Sequence, residues 1–370
     1  MSFSQPDLPS PHSPPASRAP VPGIPGRALA WVYARIIAAR NRRFDARRGV
    51  VEVDRPVISI GNLSTGGTGK TPLVSHLTAL LIRHGHTPCI AMRGYGSPAG
   101  QGLMSDEALI YKEACPGVQI VAQPNRLEGL LDVFASPSGE AVDVVLLDDG
   151  FQHRQLARSL DIVVIDATRS PFEDRLLPAG HLRESPAALR RAHAVVITHA
   201  ASISSASRST LLAHIRAVHP AIEISLAVHA WNGFNTTDPS GESRFTPSAS
   251  FAGARIFAAC AIGNPSPFLA QAAAVGSGER GRVLTLAGQL ALPDHDPFAE
   301  ATVQRLIRMA QEAHAQVIII TAKDWTKLGR VAPARWPCPV ARPNLVIEFQ
   351  EGQDRLEHSV LRAASAETLG

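Results

Sequence analysis

A glycine-dense loop limits the possible folds of this chain more than any other segment. The loop follows an apolar run at residues 57–60, precedes a helical stretch, and reads Ser64-Thr65-Gly66-Gly67-Thr68-Gly69-Lys70-Thr71. Successive glycines let backbone N–H groups converge on phosphate oxygens, and the start of the next helix adds its positive dipole end. Lys70 is suited to reach the β- and γ-phosphates of a nucleotide, and the Thr71 hydroxyl to ligate Mg²⁺. The loop therefore predicts a P-loop NTPase-like fold in which these eight residues bind a nucleotide.

This loop departs from the usual P-loop pattern at one position, because Ser64 stands where the first glycine is expected. Dimeric partition-type ATPases carry a lysine where this chain has Thr65, which weakens that interpretation without excluding it. A chance glycine turn is the other alternative. The order of strand, loop and helix favours nucleotide binding over it.

An acidic pair ends another apolar run. Residues 142–147 are mostly Val and Leu, and Asp148-Asp149-Gly150 follows them. In P-loop folds an apolar strand that ends in aspartate holds Mg²⁺ opposite the loop, at the carboxyl ends of the strands. Two aspartates that cap a turn before Gly150 are the alternative. With the P-loop upstream, the pattern predicts that at least one of the two aspartates binds the metal, and it leaves open which one.

Short apolar runs alternate with helical stretches along most of the chain. Apolar runs lie at residues 57–60, 89–92, 120–122, 142–147, 162–165, 195–198, 222–227, 256–262, 282–286, 317–321 and 345–349. Continuous apolar strands joined by crossover helices imply a mostly parallel sheet with helices on both faces. Residues 228–250 are rich in turn formers and predict a hairpin-like linker. We therefore predict a P-loop NTPase-like α/β fold with a second, smaller α/β domain beyond the linker.

Composition divides the chain further. The predicted segments are a disordered tail at 1–25, a membrane-associated helix at 26–50, a P-loop core at 51–227, a linker at 228–252, a second α/β domain at 253–350 and a C-terminal tail at 351–370. The first tail is rich in Pro and Ser, and it lacks the basic and apolar order of a secretory signal peptide. The four cysteines are scattered, which is typical of reduced thiols and not of a metal site.

Arginines crowd residues 27–48, although the net charge of the whole chain is only +4. The apolar stretch there is about a dozen residues long, whereas ~20 are needed to span a bilayer. An apolar helix with Trp31, Tyr33 and a basic flank is typical of a helix that lies among anionic headgroups. A helix packed on the domain core is the alternative. Nucleic acid is disfavoured as a partner, because the arginines alternate with apolar residues and no DNA- or RNA-binding motif accompanies them.

Further motifs follow one another around these elements. They are Gly61-Asn62-Leu63, Arg93-Gly94-Tyr95-Gly96, Ser105-Asp106-Glu107-Ala108, Asp148-Asp149-Gly150-Phe151-Gln152-His153, Leu177-Pro178-Ala179-Gly180, Leu182-Arg183-Glu184, Gly263-Asn264-Pro265, Pro293-Asp294-His295 and Thr321-Ala322-Lys323-Asp324. On these motifs the chain resembles the tetraacyldisaccharide 4'-kinases, the lipid A 4'-kinases of Gram-negative bacteria, over most of its length. The family pattern has T-E-K-D where this chain has Ala322, and that position is assigned no role.

The resemblance implies ATP-dependent transfer of the γ-phosphoryl group to the 4'-hydroxyl of a lipid A disaccharide 1-phosphate precursor. It implies Mg²⁺ as cofactor and a location at the cytoplasmic face of the bacterial inner membrane. The expected partners are the lipid precursor and, through residues 27–48, the anionic membrane surface. The alternative function is that of a soluble P-loop kinase for a small molecule or of a partition-type ATPase.

The resemblance also assigns roles to single residues. A sugar hydroxyl needs a base as the phosphoryl group arrives; Asp106 is the family's candidate, with His295 as its partner. Arg183 is expected to act on phosphate charge beside the P-loop lysine, and Glu184 to complete the Mg²⁺ ligands. The alternatives are an acid in the first turn of a helix for Asp106, a loop residue for His295, and a surface Arg–Glu pair.

Four residues are expected to contact the lipid substrate: Arg93, Tyr95, Arg126 and Gln152. Arg93 and Tyr95 follow a predicted strand end, where α/β sheets place ligand contacts. Turn packing and a solvated surface cation are the alternatives for these two, and a solvated arginine is the alternative for Arg126.

Overall fold

The structure, a computed structural model, describes residues 19–66, 69–94, 106–263, 265–276, 286–294 and 296–365. Its helices are α1 (Gly23–Asp45), α2 (Lys70–Arg83), α3 (Asp106–Ala114), α4 (Arg126–Phe134), α5 (Ser205–Val218), α6 (Pro265–Gly276), α7 (Glu300–Glu312), α8 (Ala322–Leu328) and α9 (Gln353–Ala364). Its strands are β1 (Val57–Asn62), β2 (Pro88–Met92), β3 (Gln119–Ala122), β4 (Val144–Asp148), β5 (Leu160–Asp166), β6 (Ala194–Thr198), β7 (Glu223–Thr237), β8 (Ser243–Thr246), β9 (Ile256–Cys260), β10 (Gly288–Ala291), β11 (Val317–Ile320) and β12 (Val340–Glu351).

These strands form one sheet in the order β10-β9-β11-β12-β7-β6-β5-β1-β4-β2-β3, and β8 pairs with β7 outside this path. The described pairs are parallel, except that β7 is antiparallel to β12 and to β8. Strands β1, β2, β4, β5 and β6 are buried along their whole length. Complete burial is expected of parallel strands with helices on both faces. The predicted P-loop NTPase-like α/β fold is confirmed.

Alternate residues of each strand point to opposite faces of the sheet. On one face, Ile58 and Ile60 of β1 pack with residues of α2, α3 and α9. On the other face, Val57 packs with α4, and Val163 of β5 packs with α5. The helices thus cover the two faces of the half of the sheet that carries the phosphate loop. Helices α6, α7 and α8 cover the half made of β9 to β12 in the same way.

The turn-rich segment forms a β-hairpin between β7 and β8, closed by a turn at residues 238–242. Strand β7 passes through the predicted boundary at 227/228 without interruption and pairs along its length with β12. The domain boundaries therefore stay a prediction, because one sheet joins the two halves. The strand predicted at 282–286 lies almost entirely outside the described residues, and β10 begins at Gly288 instead.

The C-terminal segment differs from its prediction. The sequence pattern predicts a tail at 351–370, whereas residues Gln353–Ala364 form α9. Leu356, Val360 and Ala363 are buried on one side of this helix, against the sheet and α2. Their spacing of four and three residues is that of an amphipathic helix, so apolar burial holds the segment in place. The predicted tail at 1–25 lies outside the described residues up to residue 18, and α1 already begins at Gly23.

Candidate active site

Strand β1 carries the phosphate loop to the carboxyl edge of the sheet, and α2 begins at Lys70. Gly66 and Gly69 have φ angles of 101° and 78°, in the left-handed region that glycine adopts without a steric cost. Gly69 caps α2 without a side-chain hydrogen bond. The first amides of α2 therefore remain suited to bind anionic oxygens. Gly67 and Thr68 lie outside the described residues.

The segment with the LPAG-x-LRE motif holds the first half of the loop. The Thr65 amide donates to the His181 carbonyl oxygen at 2.8 Å, and the Arg183 amide donates to the Leu63 carbonyl oxygen at 2.7 Å. These two bonds bring the Arg183 side chain beside the phosphate loop. Two motifs that are far apart in the sequence therefore form one site.

Two glycines let β1 and the end of β4 approach closely. A Cβ atom on Gly61 would lie 2.6 Å from the Phe151 amide nitrogen, and a Cβ atom on Gly150 would lie 2.6 Å from Ser59 Oγ. Both distances are too short for a side chain. The glycines in the G-N-L and D-D-G motifs thus permit the packing that sets the acidic pair next to the loop.

Asp148 and Asp149 lie opposite the phosphate loop. Asp148 Oδ1 accepts a hydrogen bond from the Asp149 amide at 2.8 Å, and its Oδ2 accepts one from the Tyr111 hydroxyl at 3.0 Å. Asp149 adopts a φ of 51°. Its Oδ1 lies 3.4 Å from Lys70 Nζ, and its Oδ2 accepts a hydrogen bond from Arg183 Nη1 at 2.7 Å. One carboxylate thus connects the P-loop lysine with the arginine of the LRE motif.

The two aspartates differ in their electrostatics. Burial raises the pKa of Asp148, and the charge of Asp149 adds to this rise, against the lowering influence of Lys70. Burial would also raise the pKa of Asp149, but Lys70 and Arg183 together lower it below its ordinary value. Asp149 is therefore ionised at neutral pH, and the buried carboxylate of Asp148 favours a further positive charge nearby.

Glu184 is buried next to this pair, at 2% exposure. Its Oε1 accepts a hydrogen bond from Arg191 at 2.8 Å, and its Oε2 accepts one from Asn41 of α1 at 2.7 Å. The Arg191 guanidinium also lies over the Phe151 ring, at 3.7 Å from its centroid. Both oxygens of the predicted metal ligand thus have protein partners in this structure, so its role at Mg²⁺ stays a prediction.

The other predicted metal ligands suit Mg²⁺, which proteins hold with one or two carboxylates together with phosphate and water oxygens. Within the described ranges, no three His, Cys, Asp or Glu side chains are arranged to hold a metal ion by themselves. A cation beside Asp148 would offset the cost of its buried negative charge. Asp148, Asp149 and the Thr71 hydroxyl, directly after Lys70, therefore fit a metal that is shared with nucleotide phosphates.

Gln152 and Arg126 lie at the same edge of the sheet. The Gln152 side chain donates to the Asn62 carbonyl oxygen at 2.9 Å, and its Oε1 accepts from Arg183 at 3.4 Å. Arg126 opens α4, is 3% exposed, and donates to the Asp149 carbonyl oxygen at 3.2 Å. Its burial excludes the alternative of a solvated arginine, and the structure brings both residues to the acidic pair.

His153 marks a strongly positive region beside this edge. Burial lowers the pKa of His153 to about 4, and four arginines contribute to the shift: Arg126, Arg158, Arg40 and Arg93. Arg93 itself is exposed and follows β2. A half-buried neutral imidazole among guanidinium groups is suited to the neighbourhood of an anion.

The remaining predicted residues cannot be placed in this site from the described part of the chain. Tyr95 and His295 lie outside the described residues, as do the neighbours of Tyr95 up to residue 105. Asp106 is the first residue of α3, but the structure does not describe the position of its side chain. The roles of these three residues stay predictions.

Sequence reasoning missed several contacts of the site. Tyr111, Asn41 and Arg191 bind the carboxylates of the acidic motifs. None of them belongs to a motif with a chemical signature. Such partners are defined by which helices the sheet brings together.

Helix α1 covers one side of the site. Tyr33 donates to the Arg183 carbonyl oxygen at 3.0 Å, and Arg154 pairs with Asp45 at 2.7 Å. The exposed large apolar side chains of α1 are Ile24, Leu29, Trp31, Val32 and Ile36. The Arg35 guanidinium lies over the Trp31 ring, at 4.5 Å from its centroid. Of the helices described, none is long and apolar enough to cross a bilayer.

Comparisons with known proteins agree with this geometry. A family model described as tetraacyldisaccharide-1-P 4'-kinase, LpxK, matches residues 25–363. A tetraacyldisaccharide 4'-kinase from Geobacter metallireducens is 35% identical over 294 residues, which cover 76% of this chain and 81% of the relative. One from Chlorobaculum tepidum is 29% identical over 360 residues, which cover 90% of this chain and 96% of the relative.

A solved structure is similar over nearly the whole chain. It is LpxK from Aquifex aeolicus in complex with ATP, and it aligns with a TM-score of 0.67 and 25% sequence identity. The alignment covers 91% of this chain and 97% of that protein. The fold of the described residues is thus similar to that of LpxK.

Proposed function

The chain belongs to the tetraacyldisaccharide-1-P 4'-kinase family, and we propose that the site between the phosphate loop and the acidic pair carries out the family's reaction. The reaction transfers the γ-phosphoryl group of ATP to the 4'-hydroxyl of a tetraacyldisaccharide 1-phosphate, a step of lipid A biosynthesis. The observation that carries the proposal is the convergence of Lys70 and Arg183 on Asp149, within 3.4 Å and 2.7 Å.

This arrangement places two cations where they can bind the phosphates of ATP. The Lys70 ammonium and the Arg183 guanidinium share the Asp149 carboxylate. The phosphates of ATP offer both cations more negative charge, at the amino end of α2 where the backbone amides also favour it. Lys70 then neutralises the β- and γ-phosphates, and Arg183 stabilises the charge that develops on the transferred group.

Magnesium would be held by Asp148, Asp149 and Thr71, and it would draw charge from the phosphate oxygens. The Asp149 amide and the Tyr111 hydroxyl orient the Asp148 carboxylate for this task. Glu184 is proposed as a further ligand, which requires that one of its oxygens leaves Asn41 or Arg191.

A general base must take the proton of the 4'-hydroxyl, and we assign this role to Asp106, paired with His295. The support is the position of α3: Tyr111 reaches Asp148, and Asp106 begins the same helix. Five residues of helix correspond to a rise of about 7–8 Å. The first turn of α3 would therefore lie near the residue that binds Asp148.

The acceptor is proposed to bind along the positive region around His153. Arg93 and Arg126 lower the pKa of His153 by their charge, and both would attract the 1-phosphate of the lipid substrate. Gln152 is hydrogen-bonded to the end of β1, and Tyr95 is proposed to complete this surface.

The exposed apolar side chains of α1 are proposed to enter the headgroup region of the cytoplasmic leaflet of the inner membrane. Trp31 and Ile36 are 61% and 60% exposed, while Tyr33 and Asn41 of the same helix bind the LRE segment. A helix of this kind lies in the membrane surface and is attracted by anionic lipid. The membrane would thus deliver an acylated sugar directly to the site. Nucleic acid is not proposed as a partner.

The direct test is an assay with ATP labelled at the γ-phosphate and a tetraacyldisaccharide 1-phosphate in mixed micelles. We expect label on the 4'-position of the lipid and none when Mg²⁺ is chelated. ATP hydrolysis without lipid labelling would instead support the partition-type ATPase, and labelling of a soluble sugar alone would support a small-molecule kinase.

A further inference from the structure

A second cluster of titratable side chains lies at the phosphate loop, outside the motifs that indicate the function. Asp166 ends β5, and His199 directly follows β6. His229 belongs to β7, at a level beyond the last residue of β6 that pairs with it. Three neighbouring strands therefore each contribute one polar side chain at the same edge of the sheet.

These three side chains form a chain of hydrogen bonds. Asp166 Oδ1 accepts from the Thr168 amide at 2.9 Å, from the Thr168 hydroxyl at 2.7 Å, and from His199 Nδ1 at 3.2 Å. His199 Nε2 lies 3.2 Å from Nδ1 of His229, and the two rings meet edge to face with centroids 4.8 Å apart. A carboxylate only accepts hydrogen bonds, so the hydrogen between Asp166 and His199 resides on His199 Nδ1.

The chain ends on the phosphate loop. A Cβ atom on Gly69 would lie 1.9 Å from Cε1 and 2.3 Å from Nε2 of His229, so the imidazole fills the space of the missing side chain. Gly69 has a φ of 78° and caps α2 immediately before Lys70. The ring of His229 thus packs against the residue that directly precedes Lys70.

We propose that Asp166, His199 and His229 form a positioning chain that fixes Gly69, and through it Lys70, in the geometry that binds the phosphates of ATP. The inference rests on the proposed function, because it concerns the same loop. His229 acts through the loop backbone, so it is a positioning residue and not a catalytic one.

The surroundings of His229 suit this role. Strand β7 is paired with both β6 and β12, which fixes the position from which the ring projects. Burial lowers the pKa of His229 to about 4, and the neighbouring His199 lowers it further, against the raising influence of the Gly69 backbone and Asp166. The ring is therefore neutral near pH 7 and does not repel the ammonium group of Lys70.

The test compares ATP and lipid kinetics of His229 variants. In His229→Ala we expect the KM for ATP to rise about tenfold, while the KM for the lipid stays within about twofold, because only the phosphate loop loses its support. His229→Gln, whose side chain refills much of the space beside Gly69, should restore the KM for ATP to within about threefold of wild type. The matched control is His86→Ala, because His86 binds Asp143 at 2.9 Å before β2 and β4, at the opposite edge of the sheet.

A double-mutant cycle tests the contact itself. In the wild-type background, a methyl group at Gly69 collides with the His229 ring, so Gly69→Ala should weaken ATP binding strongly. In the His229→Ala background the collision is absent, and the same substitution should weaken ATP binding about tenfold less. If His229→Ala does not fold, as judged by circular dichroism, His199→Gln breaks the same chain and is expected to raise the KM for ATP alone.

Two outcomes separate the inference from the function on which it rests. If the wild-type protein binds ATP but the His229 and His199 variants bind it equally well, the positioning chain is contradicted and the proposed function stands. If the wild-type protein binds no ATP, the proposed function itself fails. Additive effects of the Gly69 and His229 substitutions would also overturn the positioning chain.

Discussion

Asp149 sets the charge balance of the candidate site. It adopts a left-handed backbone conformation, with a φ of 51°, directly after a buried strand. This conformation turns its carboxylate toward Lys70 and Arg183, which lower its pKa. The carboxylate of one residue thus contacts two cations at once. Asp149 and Asp148 are residues of the same type, and the positive charges next to Asp149 explain why its pKa is lowered whereas that of Asp148 is raised.

Asp106 is the residue whose proposed role a substitution tests most simply. We expect Asp106→Ala to lower kcat by about two to four orders of magnitude, the usual contribution of a general base. The affinity for ATP should remain nearly unchanged, because phosphates and metal are held elsewhere. Label transfer gives kcat, and equilibrium dialysis gives the affinity. The control is Lys112→Ala, an exposed position of the same helix, and a large loss of ATP binding in Asp106→Ala would instead place Asp106 among the metal ligands.

Tyr111 connects α3 with the metal site through a single hydroxyl group. In Tyr111→Phe the ring remains, but Asp148 Oδ2 loses the hydrogen bond of 3.0 Å that favours its charged form. We expect the Mg²⁺ concentration needed for half-maximal ATP binding to rise about three- to tenfold, which corresponds to ~1 kcal/mol for a buried hydrogen bond. Calorimetric titration of Mg²⁺ in the presence of ATP measures it. An unchanged requirement would limit Tyr111 to packing.

Helix α1 combines features of both interpretations of its sequence. Tyr33 and Asn41 bind the LRE segment, as in a helix docked on the core. Trp31, Val32 and Ile36 of the same helix remain exposed, as the membrane proposal requires. The two interpretations are therefore compatible, because they concern different side chains of one helix.

The exposed apolar side chains of α1 give a prediction for membrane binding. We expect the partition coefficient onto vesicles with anionic lipid to be at least about tenfold lower for the double variant Trp31→Glu, Ile36→Glu, because two charges replace apolar side chains. Sedimentation with vesicles measures this loss, and the thermal unfolding temperature should not change, because both side chains are mostly exposed. Ile82→Glu is the control, at an exposed apolar position of α2. Equal sedimentation of the double variant and the control would contradict the membrane role of α1.

Helix α9 is bound to α2 by a pair with a defined pH dependence. Glu357 accepts hydrogen bonds from His76 and Gln353, each at 2.9 Å. Burial raises the pKa of Glu357, but the bonds from Gln353 and His76 lower it more, so the folded pKa is below the ordinary value. Such a group stabilises the fold above its unfolded pKa, and the stabilisation is lost as the pH falls through the folded pKa.

We therefore expect Glu357→Gln to unfold at a lower temperature than wild type at pH 6–7, with a difference that shrinks as the pH falls below ~4.3. Thermal melts by circular dichroism across this range measure the difference. A difference that is constant at all pH values would mean that the charge of Glu357 has no part in holding α9.

At the scale of the whole molecule, α3 is linked to the half of the sheet that follows the hairpin. Glu113 at its end accepts hydrogen bonds from Asn235 of β7 at 2.9 Å and from Arg342 of β12 at 3.5 Å. Arg342 also lies over the Trp325 ring, at 4.3 Å from its centroid. The helix that begins with the proposed base thus contacts both halves, which fits a partner for that base from the second half.

The sequence was sufficient for those parts of the fold that depend on local pattern. Glycines and an apolar run identify β1 and the phosphate loop, and aspartates after valines and leucines identify the end of β4. It was not sufficient for α9, because the amphipathic segment is only 12 residues long and comes directly after a long strand. It also did not reveal the partners Tyr111 and His229, because their roles arise from the order in which the strands pair, and no local pattern encodes that order.

The most direct test of the whole account is the equilibrium affinity of the purified protein for ATP, measured with and without Mg²⁺ and compared with Lys70→Ala. We expect wild type to bind ATP more tightly when Mg²⁺ is present, because the metal joins the phosphates to the acidic pair. Lys70→Ala should lose this affinity and all transfer of label to the lipid. Wild-type protein without any magnesium-dependent affinity for ATP, or Lys70→Ala with unchanged transfer, would contradict the assignment of the phosphate loop as the catalytic site.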